Sequence, residues 1–310
     1  MAGVSVVKIK ADDDGIRLNR WFLREYPSLS LGRLQKLLRT KQIKVDGKRA
    51  EASTRLSAGQ ELRIPPLDEQ KAVKKENYVS QTDEKRVKNM VVYKDDNIIV
   101  INKPSGLAVQ GGTGQTKHID GLLDALKFGK EERPKLTHRI DKDTSGLLVL
   151  ARNRQYALAL TKAFREHKIK KTYLALCVGC PKEMAGQIKA PLEKAGEKMV
   201  VVSDGQKAVT SYEVLDTVGT KFCLIKASPL TGRTHQIRVH LAHIGALIAG
   251  DTKYGSRDDF KQADLSKHLH LHSYQIDLSE VMGKKIVVKA GLPDYFIKDI
   301  DSLGLTFKEK

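Results

Sequence analysis

The sequence predicts an α+β protein with a small N-terminal domain and a larger C-terminal domain built around a largely antiparallel central sheet. The length of 310 residues matches about two domains of ordinary size. After residue 90, apolar segments of strand length outnumber helical patterns, and they do not alternate with helices as parallel βαβ units do. Residues 67–89 are densely charged and contain no Gly or Pro, which predicts a linker between domains at 1–66 and 90–310.

The N-terminal domain, residues 1–66, is predicted to contain two helices and then a hairpin. The first helix is expected to end near Pro27, and the second to begin after Ser28 or Ser30 with leucines at helical spacing. Residues 43–49 alternate across an Asp-Gly turn, which is the strongest short-range hairpin pattern.

This order of elements resembles the S4 RNA-binding domain over about residues 14–66. Between residues 33 and 49 there are seven basic residues and one acidic residue. A solvated helix surface is the alternative, but such a surface usually carries charges of both signs. The resemblance and the charge therefore favour contact with RNA phosphates. The residues expected to make it are Arg33, Lys36, Arg39, Lys41, Lys48 and Arg49.

The charge balance of the whole chain also points to a polyanionic partner. Lys and Arg number 55 against 37 Asp and Glu, a net charge of +18, which favours RNA over an anionic membrane surface. No apolar segment approaches the roughly 18 to 20 residues of a membrane span, and no export signal is recognisable. Cys177, Cys180 and Cys223 are too few for a disulfide framework. We expect them to have structural roles in a protein of the reducing cytoplasm.

Two polar segments of the C-terminal domain could carry chemistry. Residues 137–146, Thr-His-Arg-Ile-Asp-Lys-Asp-Thr-Ser-Gly, directly precede a buried strand, where catalytic loops are often held. Turn chemistry alone favours a solvated turn. Residues 233–240 place two arginines and two histidines at the start of a helix predicted at 234–243 and within it. This helix could hold a cation beside a carboxylate or form a phosphate-binding helix start.

Taken together, the motifs resemble those of the RluA family of RNA pseudouridine synthases. Besides the two polar segments, the family order includes residues 101–107, Ile-Asn-Lys-Pro-Ser-Gly-Leu, and residues 170–174, Lys-Lys-Thr-Tyr-Leu. These four motifs cover most of residues 90–275, and together they are highly specific. Ile140 stands where Leu is more usual, a volume-conserving exchange. Residues 108–114 and the S4-like domain are most similar to the RluC branch, which modifies 23S ribosomal RNA.

The resemblance implies an isomerisation that needs no cofactor or metal. The N-glycosidic bond of a uridine breaks, and the freed uracil rotates and is rejoined through carbon. The family motif assigns the catalytic carboxylate to Asp141, which acts either by attacking the sugar or by removing a sugar proton. Arg238 matches the guanidinium that keeps this carboxylate charged in a pocket that excludes water. Tyr173 matches the aromatic residue that stacks on the uracil.

Three neighbours of Asp141 on its loop have less direct roles. Arg139 matches a family position that contacts RNA, and it is placed to fill the space that the flipped nucleotide leaves. His138 is expected to brace the loop. Asp143 is expected to be an ordinary turn or capping residue.

Other function classes remain open at this point. A metal-dependent hydrolase could use His268, His270 and His272, which alternate along a predicted strand and so share one face, but no H-E-x-x-H motif accompanies them. A non-enzymatic S4-type RNA-binding or ribosome-assembly protein is the second alternative. Within the synthase class, the expected partner is 23S ribosomal RNA or a pre-ribosomal particle, with transfer RNA as the alternative. We expect a monomer.

Overall fold

The computed structural model describes residues 4–26, 28–67, 80–111, 117–255 and 264–307. The chain divides into two compact units, residues 1–78 and 79–310, which are considered one at a time. Over the described ranges, no helix is both long enough and apolar enough to cross a lipid bilayer.

The first unit contains two helices and a four-stranded antiparallel sheet. Its elements are β1 (Ser5–Lys8), α1 (Leu18–Glu25), α2 (Leu31–Arg39), β2 (Lys44–Val45), β3 (Lys48–Arg49) and β4 (Glu61–Ile64). The strands lie in the order β1-β4-β2-β3. Ser30 begins α2, because its Oγ accepts a hydrogen bond from the backbone N–H of Arg33. Asp46 and Gly47 have positive φ angles, as the predicted hairpin turn requires.

One apolar core holds this unit together and leaves its basic residues outside. Leu18, Phe22, Leu34 and Leu62 are fully buried in that core. Pro27, near which the first helix was expected to end, lies outside the described residues. The six basic residues proposed for RNA contact are all exposed, as phosphate binding requires. Their RNA contact and the S4 assignment stay predictions.

The C-terminal part of the predicted linker at 67–89 is instead a helix of the second unit. This helix, α3 (Gln81–Asn89), begins where Ser80 Oγ accepts a hydrogen bond from the backbone N–H three residues later. Val87 of α3 is fully buried in the core of the second unit, which compensates for the high charge of the other positions. Residues 68–79 of the predicted linker lie outside the described residues.

The second unit surrounds a large sheet. Its other helices are α4 (Ile119–Leu122), α5 (Arg154–Arg165), α6 (Gln236–His243), α7 (Ser279–Met282) and α8 (Asp294–Ser302). Its strands are β5 (Val91–Lys94), β6 (Ile98–Lys103), β7 (Lys135–Leu136), β8 (Ser145–Ala151), β9 (Lys170–Val178), β10 (Ala185–Lys189), β11 (Leu192–Ala195), β12 (Lys198–Val201), β13 (Val209–Val218), β14 (Phe222–Pro229), β15 (Leu247–Ile248), β16 (Leu271–Asp277) and β17 (Val287–Lys289).

The order β10-β13-β14-β9-β16-β8-β6-β5 forms the main path of this sheet. Among the strand pairs of the described residues, β8 with β16 is the one parallel pair. The prediction of a largely antiparallel sheet is therefore confirmed. Every residue of β8 is buried, because apolar clusters cover both faces of the sheet there. This rigid centre places the loop before β8, the strand β9 and the helix α6 close together.

A buried histidine in β16 makes the stability of this unit depend on pH. His272 is fully buried, with Nδ1 2.9 Å from Ser145 Oγ and Nε2 3.3 Å from the carbonyl oxygen of Ala290. Burial lowers the pKa of His272 to about 4. Between about pH 6.5 and pH 4 the unfolded state therefore binds a proton that the folded state does not. Burial of the neutral His272 ring therefore does not reduce the free energy of unfolding above pH 6.5, and this free energy decreases as the pH falls from 6.5 toward 4.

We expect the free energy of unfolding to fall by about 2 kcal/mol between pH 7.5 and pH 5 on account of His272 alone. Denaturant titrations of the wild type and of His272→Asn at both pH values would measure this difference. The variant should lose that part of the pH dependence, whereas His243→Asn, at an exposed position, should keep it. Equal pH dependence in the wild type and His272→Asn would contradict the expectation.

Candidate active site

The first residues of the loop between β7 and β8 are held to β8 by hydrogen bonds. The Thr137 hydroxyl donates a hydrogen bond to the carbonyl oxygen of Val149 at 2.7 Å, and the Val149 N–H donates to His138 Nε2 at 2.9 Å. The His138 ring also stacks on Phe164, with 4.0 Å between the ring centroids. Burial lowers the pKa of His138 to about 3, so the ring is neutral and can accept this hydrogen bond. His138 braces the loop, as expected.

A buried lysine fastens the other side of the same loop. Lys103, at the end of β6, is fully buried. Its Nζ lies 2.8 to 2.9 Å from the carbonyl oxygens of Pro104, Leu107 and Lys142. Three acceptors match the three donors of an ammonium group. Burial lowers the pKa of Lys103 to about 7, although the charges of Asp143 and Asp141 oppose this shift. The motif at residues 101–107 thus holds the loop that carries Asp141.

Close packing of β8 against β16 brings this loop beside β9. Gly146 has φ +104°, and a Cβ atom there would collide with the backbone of Ser273. Ser273 is the register partner of both Gly146 on β8 and Tyr173 on β9. A glycine at position 146 therefore allows the approach of the strands that place Asp141 and Tyr173 at one pocket.

Arg238 lies in α6 and faces two carboxylates. Its Nη1 is 3.5 Å from Asp141 Oδ2. Its Nε–H and Nη2–H donate to the two oxygens of Asp251, each at 2.7 Å. Arg238 is 6% exposed and Asp251 1% exposed, so this ion pair is buried. Burial alone would lower the pKa of Arg238, but the hydrogen bonds and charge of Asp251, together with the charge of Asp141, raise it overall. A permanent positive charge therefore faces the Asp141 carboxylate.

A tyrosine and a histidine complete the surroundings of Asp141. The Arg238 guanidinium lies 5.2 Å from the centre of the Tyr254 ring. The Tyr254 hydroxyl accepts a hydrogen bond from the Met199 N–H at 3.0 Å and lies 2.7 Å from His235 Nδ1. Because burial lowers the pKa of His235, the ring is neutral at pH 7, and Nδ1 accepts from this hydroxyl. The proton of His235 is then on Nε2, which lies 3.9 Å from Asp141 Oδ2.

The helix α6 begins at Gln236, two residues later than the sequence predicted. His235 adopts a left-handed conformation with φ 52°, which directs its ring toward Asp141. Neither Thr231 nor Thr234 caps the helix. Instead, Gln236 Oε1 accepts from the Thr231 hydroxyl at 2.7 Å and from the Arg233 N–H at 3.0 Å. The turn before α6 is therefore fixed by side chains that surround the pocket.

Tyr173 lines the same pocket as Asp141 and Arg238. Its side chain is almost completely buried. Burial and, to a lesser extent, the charge of Asp141 raise the pKa of Tyr173 to about 12, although a hydrogen bond with Ser273 opposes the rise. The ring is therefore a neutral aromatic surface at pH 7. Four cationic side chains and one carboxylate line this pocket: Arg139, Lys171, Arg233 and Arg238, with Asp141.

Comparison with known proteins identifies the family of this chain. A family model described as RNA pseudouridylate synthase matches residues 97–243. Ribosomal large subunit pseudouridine synthase C of Rickettsia felis is 37% identical over 292 residues, which cover 90% of this chain and 94% of the relative. The chain belongs to the RNA pseudouridylate synthase family. It is therefore an enzyme, an isomerase that converts uridine in RNA to pseudouridine.

Other synthases show the same likeness in sequence and in structure. RNA pseudouridine synthase 4, mitochondrial, of Arabidopsis thaliana is 37% identical, and the match covers 96% of this chain and 78% of the relative. The solved structure of human RNA pseudouridylate synthase domain containing 4 has a TM-score of 0.62 at 30% identity, and the match covers 73% of this chain and 97% of that one. The resemblance to a pseudouridine synthase fold is confirmed.

One pocket brings together the three residues that the sequence assigned to catalysis. Asp141, Tyr173 and Arg238 line one pocket, with the exposed Arg139 at its edge. Sequence reasoning did not select Asp251, which holds Arg238, or Tyr254. Residues 108–111 line a neighbouring depression with Asp141, and residues 112–116 lie outside the described residues.

All three histidines considered for metal binding have protein partners, and that of His268 is Ser266, whose Oγ lies 2.8 Å from its Nδ1. His270 Nε2 lies 2.8 Å from Asp299 Oδ2, and His272 contacts Ser145. Within the residues that the structure describes, no group of three or more His, Cys, Asp or Glu side chains is arranged to hold a metal ion. Cys177 and Cys223 are buried partners across β9 and β14, as expected for structural residues.

Proposed function

We propose that this synthase acts on uridines of 23S ribosomal RNA in the large ribosomal subunit, with Asp141 as the catalytic carboxylate. The observation that carries the assignment of Asp141 is its position opposite the buried Arg238 in the pocket that Tyr173 lines. The substrate is supported by the names of the relatives from Rickettsia felis and Escherichia coli, both large-subunit synthases. The Escherichia coli protein is 36% identical, over 84% of this chain and 82% of the relative.

The proposed reaction requires a nucleotide that leaves its stack and enters the pocket, at a cost of a few kcal/mol. Asp141 then either attacks C1′ of the ribose or removes a sugar proton. The bond from C1′ to N1 breaks and its electron pair stays on the uracil. After the base rotates, C5 bonds to C1′, and in the same step either the bond between Asp141 and C1′ breaks or the sugar regains the proton that Asp141 took. The C5 proton then leaves, and N1 takes up a proton. Arg238 places a positive charge 3.5 Å from Asp141, and Tyr173 offers the base an aromatic surface.

RNA binding is assigned to basic residues around the pocket and on the first unit. Arg139 is exposed beside Asp141 and is proposed to occupy the space of the flipped nucleotide. The basic residues of the first unit are proposed to bind phosphates, which hold an RNA without reading its sequence. We further propose a monomer that works in the cytoplasm without a metal. Because the chain is an isomerase, the non-enzymatic alternative is not favoured, and transfer RNA is the alternative substrate.

Pseudouridine mapping in total RNA tests the proposed substrate. Deleting the gene should remove pseudouridines from 23S ribosomal RNA and leave those of transfer RNA in place. The wild-type gene should restore them, and a gene with Asp141→Asn should not. Losses confined to transfer RNA would show that the proposed substrate is wrong.

A further inference from the structure

We propose that Lys171 binds the uracil in the synthase pocket and stabilises the negative charge that the base acquires when its glycosidic bond breaks. This inference rests on the proposed reaction at Asp141. It adds a residue that contacts the base on the side away from the sugar.

The strand β9 directs Lys171 into the pocket. Successive side chains of a strand point to opposite faces, so Lys171 and Tyr173 share a face and Lys170 points away. Both Lys171 and Tyr173 line the pocket of Asp141, whereas Lys170 is exposed outside it. The lysine and the predicted stacking residue therefore lie next to each other.

The Lys171 ammonium makes no hydrogen bond or ion pair with any residue in the described parts of the chain. Two other cations of the pocket differ, because Arg238 binds Asp251 and Arg233 Nε donates to the carbonyl oxygen of Lys207 at 3.2 Å. Burial lowers the pKa of Lys171, and no carboxylate offsets that shift. Lys171 is half-buried at the pocket, so a nucleotide that displaced the remaining water would also have to supply an acceptor for its ammonium group.

The order of side chains along β9 indicates which part of the nucleotide reaches Lys171. Lys171 and Tyr173 lie two residues apart on one face of this strand, and both line the pocket that holds Asp141. With the ribose at Asp141 and the base on Tyr173, the carbonyl oxygens of the uracil are the acceptors in line with Lys171. The phosphates belong to the backbone outside, because the flipped base is the part that enters such a pocket.

The charge on the base makes this contact stronger as the reaction proceeds. When the bond from C1′ to N1 breaks, the electron pair on N1 is shared with O2 and O4 of the uracil. The Lys171 ammonium donates a hydrogen bond to one of these oxygens and transfers no proton. After C5 bonds to C1′, the C5 proton leaves, N1 gains a proton, and the base is neutral again. An interaction that is strongest in the charged state raises kcat more than it lowers KM.

The variant Lys171→Met tests this role, with Lys170→Met as the matched control for the loss of one positive charge on the same strand. On a 23S ribosomal RNA fragment that the wild type modifies, we expect kcat to fall about 100-fold in Lys171→Met with KM unchanged. Lys171→Arg should recover part of the loss. The Lys170→Met variant should keep the wild-type kcat. Thermal melting curves would show that each variant is folded.

Two results would overturn the proposal. A rise in KM with unchanged kcat would place Lys171 on a phosphate, and wild-type values of both constants would remove it from the site. Failure of the proposed function looks different, because the wild type itself would then form no pseudouridine in this RNA. The wild-type reaction is therefore measured first.

Discussion

Replacing Asp141 with asparagine should reduce pseudouridine formation by about 1,000-fold or more while RNA affinity stays the same. The amide has nearly the same shape, but it can neither attack the sugar nor remove a proton from it. Affinity for RNA depends mainly on contacts between basic residues and phosphates, and the substitution leaves these residues unchanged. Product formation on ribosomal RNA and filter binding at several salt concentrations would measure the two properties.

Asp143→Asn is the matched control for this experiment. Asp143 lies two residues away on the same loop, and its side chain is exposed. The substitution removes the same charge without touching the pocket that Asp141, Tyr173 and Arg238 line. Activity should therefore stay near the wild-type value. A similar loss in both variants would indicate a general effect of loop charge, and the specific role of Asp141 would then be wrong.

Replacing Arg238 with methionine should lower both stability and activity. Asp251 would remain as a buried carboxylate without its partner, which costs about 3 to 5 kcal/mol of unfolding free energy. Asp141 would lose the cation 3.5 Å from its oxygen, and the rate should fall by about 100-fold or more. Denaturant unfolding and single-turnover kinetics would measure these effects.

The double variant Arg238→Met with Asp251→Asn separates the two effects. It removes both charges of the buried Arg238–Asp251 pair, and the asparagine can still accept the hydrogen bonds that the backbone N–H groups of Lys253 and Tyr254 donate to Asp251. Stability should recover most of the loss, while activity should stay low because Asp141 still has no partner. Recovery of activity together with stability would show that Arg238 serves folding alone.

The parts of the site that could be predicted from the sequence are those in which a few chemically distinctive residues occur in a fixed order. The motif pairing of Asp141 with Arg238 agrees with the 3.5 Å contact in the structure. Asp251 could not be predicted, because nothing local to it reveals that a chain reversal places it against Arg238. The same holds for Lys103, whose burial and three carbonyl partners depend on how the loop at residues 104–107 meets residue 142.

The elements that were misjudged are those in which a tertiary contact outweighs the local pattern. Residues 81–89 have the composition of a solvated linker, yet the buried Val87 and the Ser80 cap make them a helix. The start of α6 shifts by two residues because His235 adopts a left-handed conformation beside Asp141. The buried strands β6 and β8, by contrast, could be located from their continuous apolar sequences.

Release of tritium from RNA labelled at C5 of uracil tests most directly whether the Asp141 carboxylate performs the isomerisation. Each conversion to pseudouridine must free one C5 hydrogen, so release counts reaction events under single-turnover conditions. We predict release equal to the pseudouridine formed by the wild type and by Asp143→Asn, and none above background by Asp141→Asn. Release by Asp141→Asn at the wild-type rate would contradict the assignment of Asp141 as the catalytic residue.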